Sequence, residues 1–169
     1  QIPLPPLSEQ KKIAAILDKA TELIALRKQQ IEKLDLLVKS RFIEMFGDPI
    51  QNAMTWPQMP AQEVCTKITD GEHNSVPRTQ KGFVFLNAKH IKKNGDIDRA
   101  SSTYIGEKDH LRIYSRCNPE QNDILLTTTG TIGNVAIVST ALPFSMDRGI
   151  TLLKLNKELL NHHFMAYLL

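Results

Sequence analysis

Residues 9–46 read EQKKIAAILDKATELIALRKQQIEKLDLLVKSRFIEMF and contain neither proline nor glycine. Apolar side chains recur at alternating spacings of four and three, which is the pattern of one face of a helix. These positions are Ile13, Leu17, Ala20, Ile24, Ile31, Leu34, Val38 and Met45. At 1.5 Å per residue the predicted helix is about 57 Å long. We call this set the apolar stripe and expect it to pack against another long helix, as in a coiled coil.

The sequence marks both ends of the predicted helix. Ser8 is expected to be the N-cap, and Glu9 places negative charge at the positive end of the helix dipole. Gly47 is suited to ending the helix, and Pro49 prevents its continuation. An ordinary core helix of a bundle is the alternative interpretation, but no second long amphipathic helix follows in the sequence.

The remainder of the chain, residues 49–169, alternates short apolar runs with turn residues. Trp56 and Pro57 indicate an anchored turn where a new domain begins, and a turn is expected at 94–96. Strands are predicted at 64–68, 83–86, 123–128, 135–138 and 150–155, with a helix at 159–169.

The predicted fold class is therefore α+β, with one long amphipathic (coiled-coil) helix followed by a mixed, mainly β domain. We expect two parts: a linker and long helix in residues 1–48, and the mainly β domain in residues 49–169. The chain stops inside an apolar helical run, so we expect the domain to be truncated at its C-terminus.

Composition excludes several classes of protein. Of 169 residues, 41% are hydrophobic and 23% are charged, which is normal for a globular protein. No stretch is long and apolar enough to cross a bilayer. Cys65 and Cys117 are isolated in the sequence, so we expect neither a zinc site nor a structural disulfide, and a cytoplasmic location.

Positive charge is concentrated in one segment. The net charge is only +3, but residues 78–116 carry 9 Lys and Arg against 4 Asp and Glu. A local basic surface is the minimum requirement for binding DNA, because most of the affinity comes from neutralising phosphates. A solvated charged face is the alternative interpretation.

No catalytic motif is visible. The sequence lacks a phosphate-binding glycine loop, a dinucleotide fingerprint, an H-E-x-x-H helix and a G-x-S-x-G elbow. His162 and His163 are expected to be surface residues, and Asp96 and Asp98 to lie at a solvated turn. We therefore expect no catalytic residue, metal or cofactor. A nuclease or methyltransferase would need a carboxylate–metal cluster or a cofactor loop.

The best predicted hairpin is rich in threonine. Thr127, Thr128, Thr129 and Thr131 offer hydroxyl groups, and the glycines at 130 and 133 expose backbone N–H groups. This combination suits contact with phosphates or base edges. The alternative is that threonine simply favours strands and the glycines make a tight turn.

An ordered series of motifs resembles the specificity subunit of type I restriction-modification systems. IPLPPLSEQKKI at residues 2–13 is similar to the phrase that closes a target recognition domain and opens a spacer helix. RFIEMFGDP at residues 41–49 is similar to the phrase that leads into the second recognition domain. The later motifs are Trp56, Asp70-Gly71-x-His73, FLNAKHI at 85–91, Asn94-Gly95, ILLT at 124–127 and GTIG at 130–133.

The resemblance implies a non-catalytic DNA reader. In that family two recognition domains, held apart by long antiparallel helices, each read half of a split target. The subunit docks modification (methyltransferase) subunits and, through them, the restriction subunit. Residues 49–169 would be the target recognition domain, with double-stranded DNA as the partner and no membrane. A coiled-coil adaptor that binds protein without DNA specificity remains the alternative function.

The resemblance also suggests which residues contact DNA. For phosphates we select Arg78, Lys89, Lys92 and Lys93, and for groove edges His73, Asn74, Thr129, Thr131 and Asn134. Arg148 is left open between DNA and a pair with Asp147 or another nearby carboxylate. Because one spacer helix and one recognition domain are present, we expect a fragment or a half-subunit, with pairing to a copy of the same helix as one option.

Overall fold

The computed structural model describes residues 2–139 and 142–169. The chain divides into two compact units, one ending at Trp56 and the other spanning Pro57–Leu169. The first unit is dominated by helix α1, Leu7–Phe46, of 40 residues, which confirms the predicted long helix. No residue of α1 is buried within the described part of the chain. The apolar stripe is open, with Leu17 60% and Met45 73% exposed.

Helix α1 begins two residues earlier than predicted. Pro6, with φ −56° and ψ 147°, is the N-cap, and its carbonyl accepts from the amides of Glu9 at 2.9 Å and Gln10 at 3.0 Å. The prediction of Ser8 as N-cap is wrong. Because Pro6, with its extended backbone, already occupies the N-cap position, Ser8 falls inside the first turn of α1.

The segment after α1 folds back on the helix end. Gly47 has φ +92°, and its amide donates to the carbonyl of Ile43 at 2.8 Å. The indole of Trp56 stacks on Phe46 with ring centroids 5.9 Å apart, and its Nε1 donates to the Phe46 carbonyl at 2.8 Å. Asn52 holds the Trp56 backbone through two hydrogen bonds of 2.9 Å. Trp56 therefore anchors this turn against the helix end.

In the residues that the structure describes, the second unit contains two small sheets, three α-helices and a 3₁₀ turn. Its elements are α2 Ala61–Val64, β1 Cys65–Asp70, β2 Phe83–Leu86, a 3₁₀ turn Ala88–His90, β3 Thr103–Ile105, α3 Glu107–Arg116, β4 Ile124–Thr127, β5 Val135–Ile137, β6 Ser145–Met146, β7 Ile150–Leu155 and α4 His162–Leu168. One sheet has the order β1-β7-β4-β5 and is antiparallel. The other has the order β3-β2-β6, with β2 and β6 parallel. The predicted α+β class is confirmed.

The core uses both faces of the larger sheet, because successive residues on a strand point to opposite faces. Leu125 and Leu152 are fully buried on one face with Leu86 and Met146 from the second sheet. On the other face Leu153 packs in a cluster with Met165 of α4.

Besides the 3₁₀ turn, four short elements of the described residues lie outside the predicted ones: α2, β3, β6 and α3. Helix α3 is short and mostly polar, and it buries only His110 and Ile113. Its charge pattern was the available signal, because acidic residues occupy the first turn and Arg116 the last. Helix α4 begins at His162 rather than 159, because the side chain of Asn161 accepts from the two amides that follow at 163 and 164. In the described residues, no helix has the length and apolarity needed to cross a membrane.

Candidate nucleic-acid interface

Four loops meet at one edge of the second unit. The register pairs Asp70 with Thr151 and Thr127 with Ile150, so the loops after β1 and β4 leave the large sheet beside the loop that precedes β7. Strand β2 runs parallel to β6, which brings the loop after Leu86 to the same place. We call these loops, residues 71–74, 87–89, 128–134 and 147–149, the loop edge.

The loop at 147–149 lies at the centre of the loop edge. The amide of Asp147 donates to the Leu86 carbonyl at 2.9 Å, and the amide of Arg148 donates to the Glu72 carbonyl at 3.0 Å. On the other side the amide of Thr128 donates to the Gly149 carbonyl at 3.0 Å. One short turn is thus hydrogen-bonded to two of the other loops and to the end of β2, from which the third loop leaves.

Gly71 shows how closely these loops approach. A Cβ atom at this position would collide with the backbone carbonyl oxygens of Met146 and Asp147. The Glu72 amide also donates to the Met146 carbonyl at 2.8 Å. Glycine is therefore required by backbone contact between the first loop and the last strand of the small sheet.

Glu72 is the buried acid of the loop edge. Its side chain accepts from Arg112 Nη1 at 2.5 Å and from the backbone and side-chain nitrogens of Asn74 at 2.8 and 2.9 Å. Burial raises the pKa of the carboxyl, but these hydrogen bonds outweigh burial and leave the pKa below its ordinary value. The Glu72 carboxyl is therefore ionised, and Arg112 neutralises its charge. Its hydrogen bonds to Asn74 hold the first loop in place.

Asp70 is neutralised in the same way. Its Oδ1 accepts from Arg116 at 3.2 Å, and its Oδ2 lies 2.5 Å from His73 Nε2. Burial raises the pKa of Asp70, but the bonds from His73 and Arg116 together outweigh burial, so the net pKa lies below its ordinary value. Arg116 also donates to the carbonyl of Gly71. Helix α3 thus supplies two arginines that neutralise the acids around the first loop.

Asp147 is the third acid. Its Oδ1 accepts from the Gly149 amide at 2.9 Å, inside its own turn. Burial raises the pKa of Asp147, and that hydrogen bond and the nearby Arg78 only partly oppose the effect. By contrast, Lys89 and Arg148 are exposed and form no ion pair with any residue in 2–139 or 142–169. The loop edge thus carries two acids and two cations, and the cations are the exposed pair, because Glu72 is buried and Asp147 is half-buried.

The four basic residues predicted to contact phosphates are separated by the fold. Only Lys89 lies in the loop edge. Arg78 stacks its guanidinium 4.2 Å above the Phe85 ring and donates to the Val76 carbonyl at 2.7 Å. Lys92 pairs with Asp98 at 3.1 Å, and Lys93 is exposed at the adjacent turn.

The five residues predicted to contact groove edges all lie in the loop edge, in two roles. The side chains of Asn74, Thr131 and Asn134 brace loops: Asn74 donates to Glu72, Thr131 to the Ala88 carbonyl at 3.2 Å and Asn134 to the Ile91 carbonyl at 2.8 Å. His73 is exposed but also holds a neighbour, since its Nε2 lies 2.5 Å from Asp70 Oδ2, whereas Thr129 is simply exposed.

Sequence reasoning overlooked Ile132 and left Arg148 undecided. Ile132 is 77% exposed at the tip of the β4–β5 hairpin, where a large apolar side chain between two glycines was the available signal. Arg148 carries no sequence signal of its own. Its importance comes from the central position of its loop.

Metal and thiol chemistry find no support in the geometry of the described residues. No three His, Cys, Asp or Glu side chains in 2–139 and 142–169 are grouped so that they could hold a metal ion. Both cysteines are buried free thiols. Burial raises the pKa of Cys117 to about 11, which is the opposite of what a nucleophilic thiolate requires.

Comparisons with known proteins all find proteins of type I restriction-modification systems. The model of the type I restriction modification DNA specificity domain family matches residues 1–36. A putative type I restriction enzyme specificity subunit, MjaX of Methanocaldococcus jannaschii, is 27% identical over 187 residues, covering 100% of this chain. The chain spans 41% of the length of that relative.

Two solved structures share the fold. The HsdS subunit from Thermoanaerobacter tengcongensis aligns with a TM-score of 0.57 and 21% identity, over 98% of this chain and 41% of that one. A chain from a structural study of complex assembly and conformational transition of the type I R-M system aligns with a TM-score of 0.58 and 20% identity, with the same two coverages. Family model, sequence relative and solved structures thus agree, and the chain resembles the specificity subunits of type I restriction-modification systems over nearly its whole length.

Proposed function

We propose that this chain is a non-catalytic DNA recognition subunit, or part of one, in a type I restriction-modification complex. The second unit reads one half of a split target through the loop edge. The observation that carries the proposal is the loop edge itself, in which exposed Thr129 and Lys89 stand on a hydrogen-bonded backbone beside His73, whose ring is held by Asp70. Such a surface combines phosphate-neutralising charge with donors and acceptors for base edges.

The internal ion pairs support this function. A DNA-binding surface is weakened by unpaired carboxylates, because they repel phosphates. In the loop edge Glu72 is neutralised by Arg112, and beside it Asp70 at the end of β1 is neutralised by Arg116. The arginines of α3 therefore act by removing negative charge from the surface, while exposed cations elsewhere meet the phosphates.

Helix α1 is proposed to be the spacer. Its apolar stripe is exposed along the helix, and a second long helix would bury it. That second helix is another segment of the same subunit or a copy of α1 in a second chain. The length of the helix pair would then set the distance between the two half-sites, and its outer surface would dock the modification subunits.

The decisive experiment is selection from a random-sequence DNA duplex pool by the chain assembled with its modification subunits, across a salt series. We expect a split motif and an affinity that falls steeply as salt rises, because several phosphate contacts release counterions. Failure of the assembled complex to select any motif, with weak binding that barely responds to salt, would contradict the proposal.

A coiled-coil adaptor without DNA specificity is the second candidate. The exposed apolar stripe favours it, since a protein partner alone would account for that surface. An adaptor predicts stable assembly with protein partners and no sequence selection by the loop edge. The same selection experiment therefore separates the two functions.

A further inference from the structure

We infer that Arg148 is a base-reading residue of the loop edge and that its guanidinium contacts a guanine in the major groove. This inference rests on the proposed function and specifies which chemistry within that site discriminates between bases.

The backbone that carries Arg148 is held from several sides. Its own amide donates to the Glu72 carbonyl at 3.0 Å. The preceding amide, of Asp147, donates to Leu86 at 2.9 Å, and the following residue, Gly149, accepts from the Thr128 amide at 3.0 Å. A side chain on so constrained a turn loses little further backbone freedom when it binds, which favours specific contact.

The side chain of Arg148 is left available by its neighbours. It is exposed, and no residue in 2–139 or 142–169 forms an ion pair with it. The adjacent carboxylate of Asp147 attracts Arg148 electrostatically but forms no ion pair with it, and accepts instead from the Gly149 amide at 2.9 Å within the turn. Glu72, whose backbone contacts Arg148, has its own carboxylate engaged by Arg112 at 2.5 Å.

The chemistry of the Arg148 guanidinium indicates which part of DNA it contacts. Within the four loops of the loop edge the sequence contains one arginine, Arg148, and one lysine, Lys89. A lysine ammonium is a point charge that suits a phosphate. A guanidinium presents a planar fork of donors that matches the O6 and N7 acceptors of guanine, the commonest specific contact in the major groove.

The test uses Arg148→Gln with Lys157→Gln as a matched control. Lys157 is exposed beyond the other end of β7, so each variant removes one positive charge from opposite ends of the same strand. Both variants are assembled with the modification subunits, and folding is checked by circular dichroism. Binding is then measured to the motif that the wild-type complex selects, with each guanine replaced in turn by 7-deazaguanine, which lacks the N7 acceptor.

We expect the wild-type complex to lose about tenfold or more in affinity at one particular guanine. Arg148→Gln should bind the natural half-site at least as weakly as the wild type binds that modified half-site, because it loses the contacts to both O6 and N7, and should be indifferent to the modification there. Lys157→Gln should retain the full wild-type sensitivity at every guanine.

Two results would overturn this inference and leave the proposed function standing. One is a motif unchanged by Arg148→Gln with unchanged affinity. The other is a uniform loss of affinity with the base preference intact, which would assign Arg148 to a phosphate. If the wild-type complex selects no motif at all, the proposed function fails and the inference fails with it, so the two failures are distinguishable.

Discussion

Arg112 Nη1 on helix α3 lies 2.5 Å from Oε2 of Glu72, whose residue is 7% exposed at the start of the loop edge. The pair joins a polar surface helix to the loop that carries His73. Because Glu72 is buried, removing only its cation leaves a carboxylate with an uncompensated desolvation cost.

A double-mutant cycle tests this pair. We expect Arg112→Gln alone to lower the free energy of unfolding more than the double variant Glu72→Gln with Arg112→Gln, because the double variant has no buried charge left unpaired. Urea unfolding followed by circular dichroism measures all four corners of the cycle. Strictly additive effects would show that the two side chains do not interact.

Because the backbone approaches Gly71 closely, serine should destabilise the protein at this position but not at Gly106. Gly71→Ser should lower the free energy of unfolding by about 1–3 kcal/mol, because its Cβ would push apart two backbone segments. The control is Gly106→Ser, where nothing lies within 4 Å of an added Cβ and serine is a favourable N-cap for α3. Thermal melts of the two variants should differ, with Gly106→Ser at or above the wild type. Equal melting temperatures for both variants would contradict the packing at Gly71.

Two buried histidines predict loss of stability in mild acid. His90 accepts from the Asn87 amide at 2.9 Å through Nδ1, and burial lowers its pKa below the ordinary 6.5. Burial also lowers the pKa of His110, which stacks on Phe83 at 3.8 Å. The unfolded chain therefore binds protons more readily than the folded one, so stability is full above pH 6.5 and falls as pH drops below it.

The measurement is the urea midpoint at intervals from about pH 8 to pH 5, over which the unfolded histidines titrate. We expect the midpoint to fall across this range and the slope to be smaller in His110→Phe, which keeps an aromatic ring against Phe83. The exposed His163→Phe is the control and should reproduce the wild-type slope. Identical slopes in all three proteins would show that His110 does not contribute to the pH dependence of stability.

The apolar stripe of α1 predicts helix pairing. Ile24→Asp with Ile31→Asp should weaken pairing by roughly 100-fold or more, because two isoleucine side chains would be replaced by charges. Gln29→Asp with Ser40→Asp adds the same charge away from the stripe and should leave pairing intact. Sedimentation equilibrium measures self-association of the chain and its pairing with the partner subunits. Equal effects of the two double variants would contradict the role of the stripe.

Much of the fold could be predicted from sequence. The periodicity of 9–46 depends on local spacing alone, and the helix appears at Leu7–Phe46. The strands Phe83–Leu86 and Ile150–Leu155 have the predicted bounds, because each is a compact apolar run between turn residues. Local rules failed at Ser8, where Pro6 set the helix start, and at α3, which is short and mostly polar.

The candidate interface, like the fold, could be predicted from sequence only in part. By itself the sequence determined which residues have the chemistry to meet DNA, because hydroxyl, amide and cationic groups are visible at any position. Only the tertiary structure decided which of them are free to do so. The antiparallel register brings residues 71–74 and 128–134 against 147–149, so Asn134 becomes a brace and Arg148 is left exposed at the centre. That outcome depends on pairings between distant segments, and nothing in the local sequence around Arg148 encodes them.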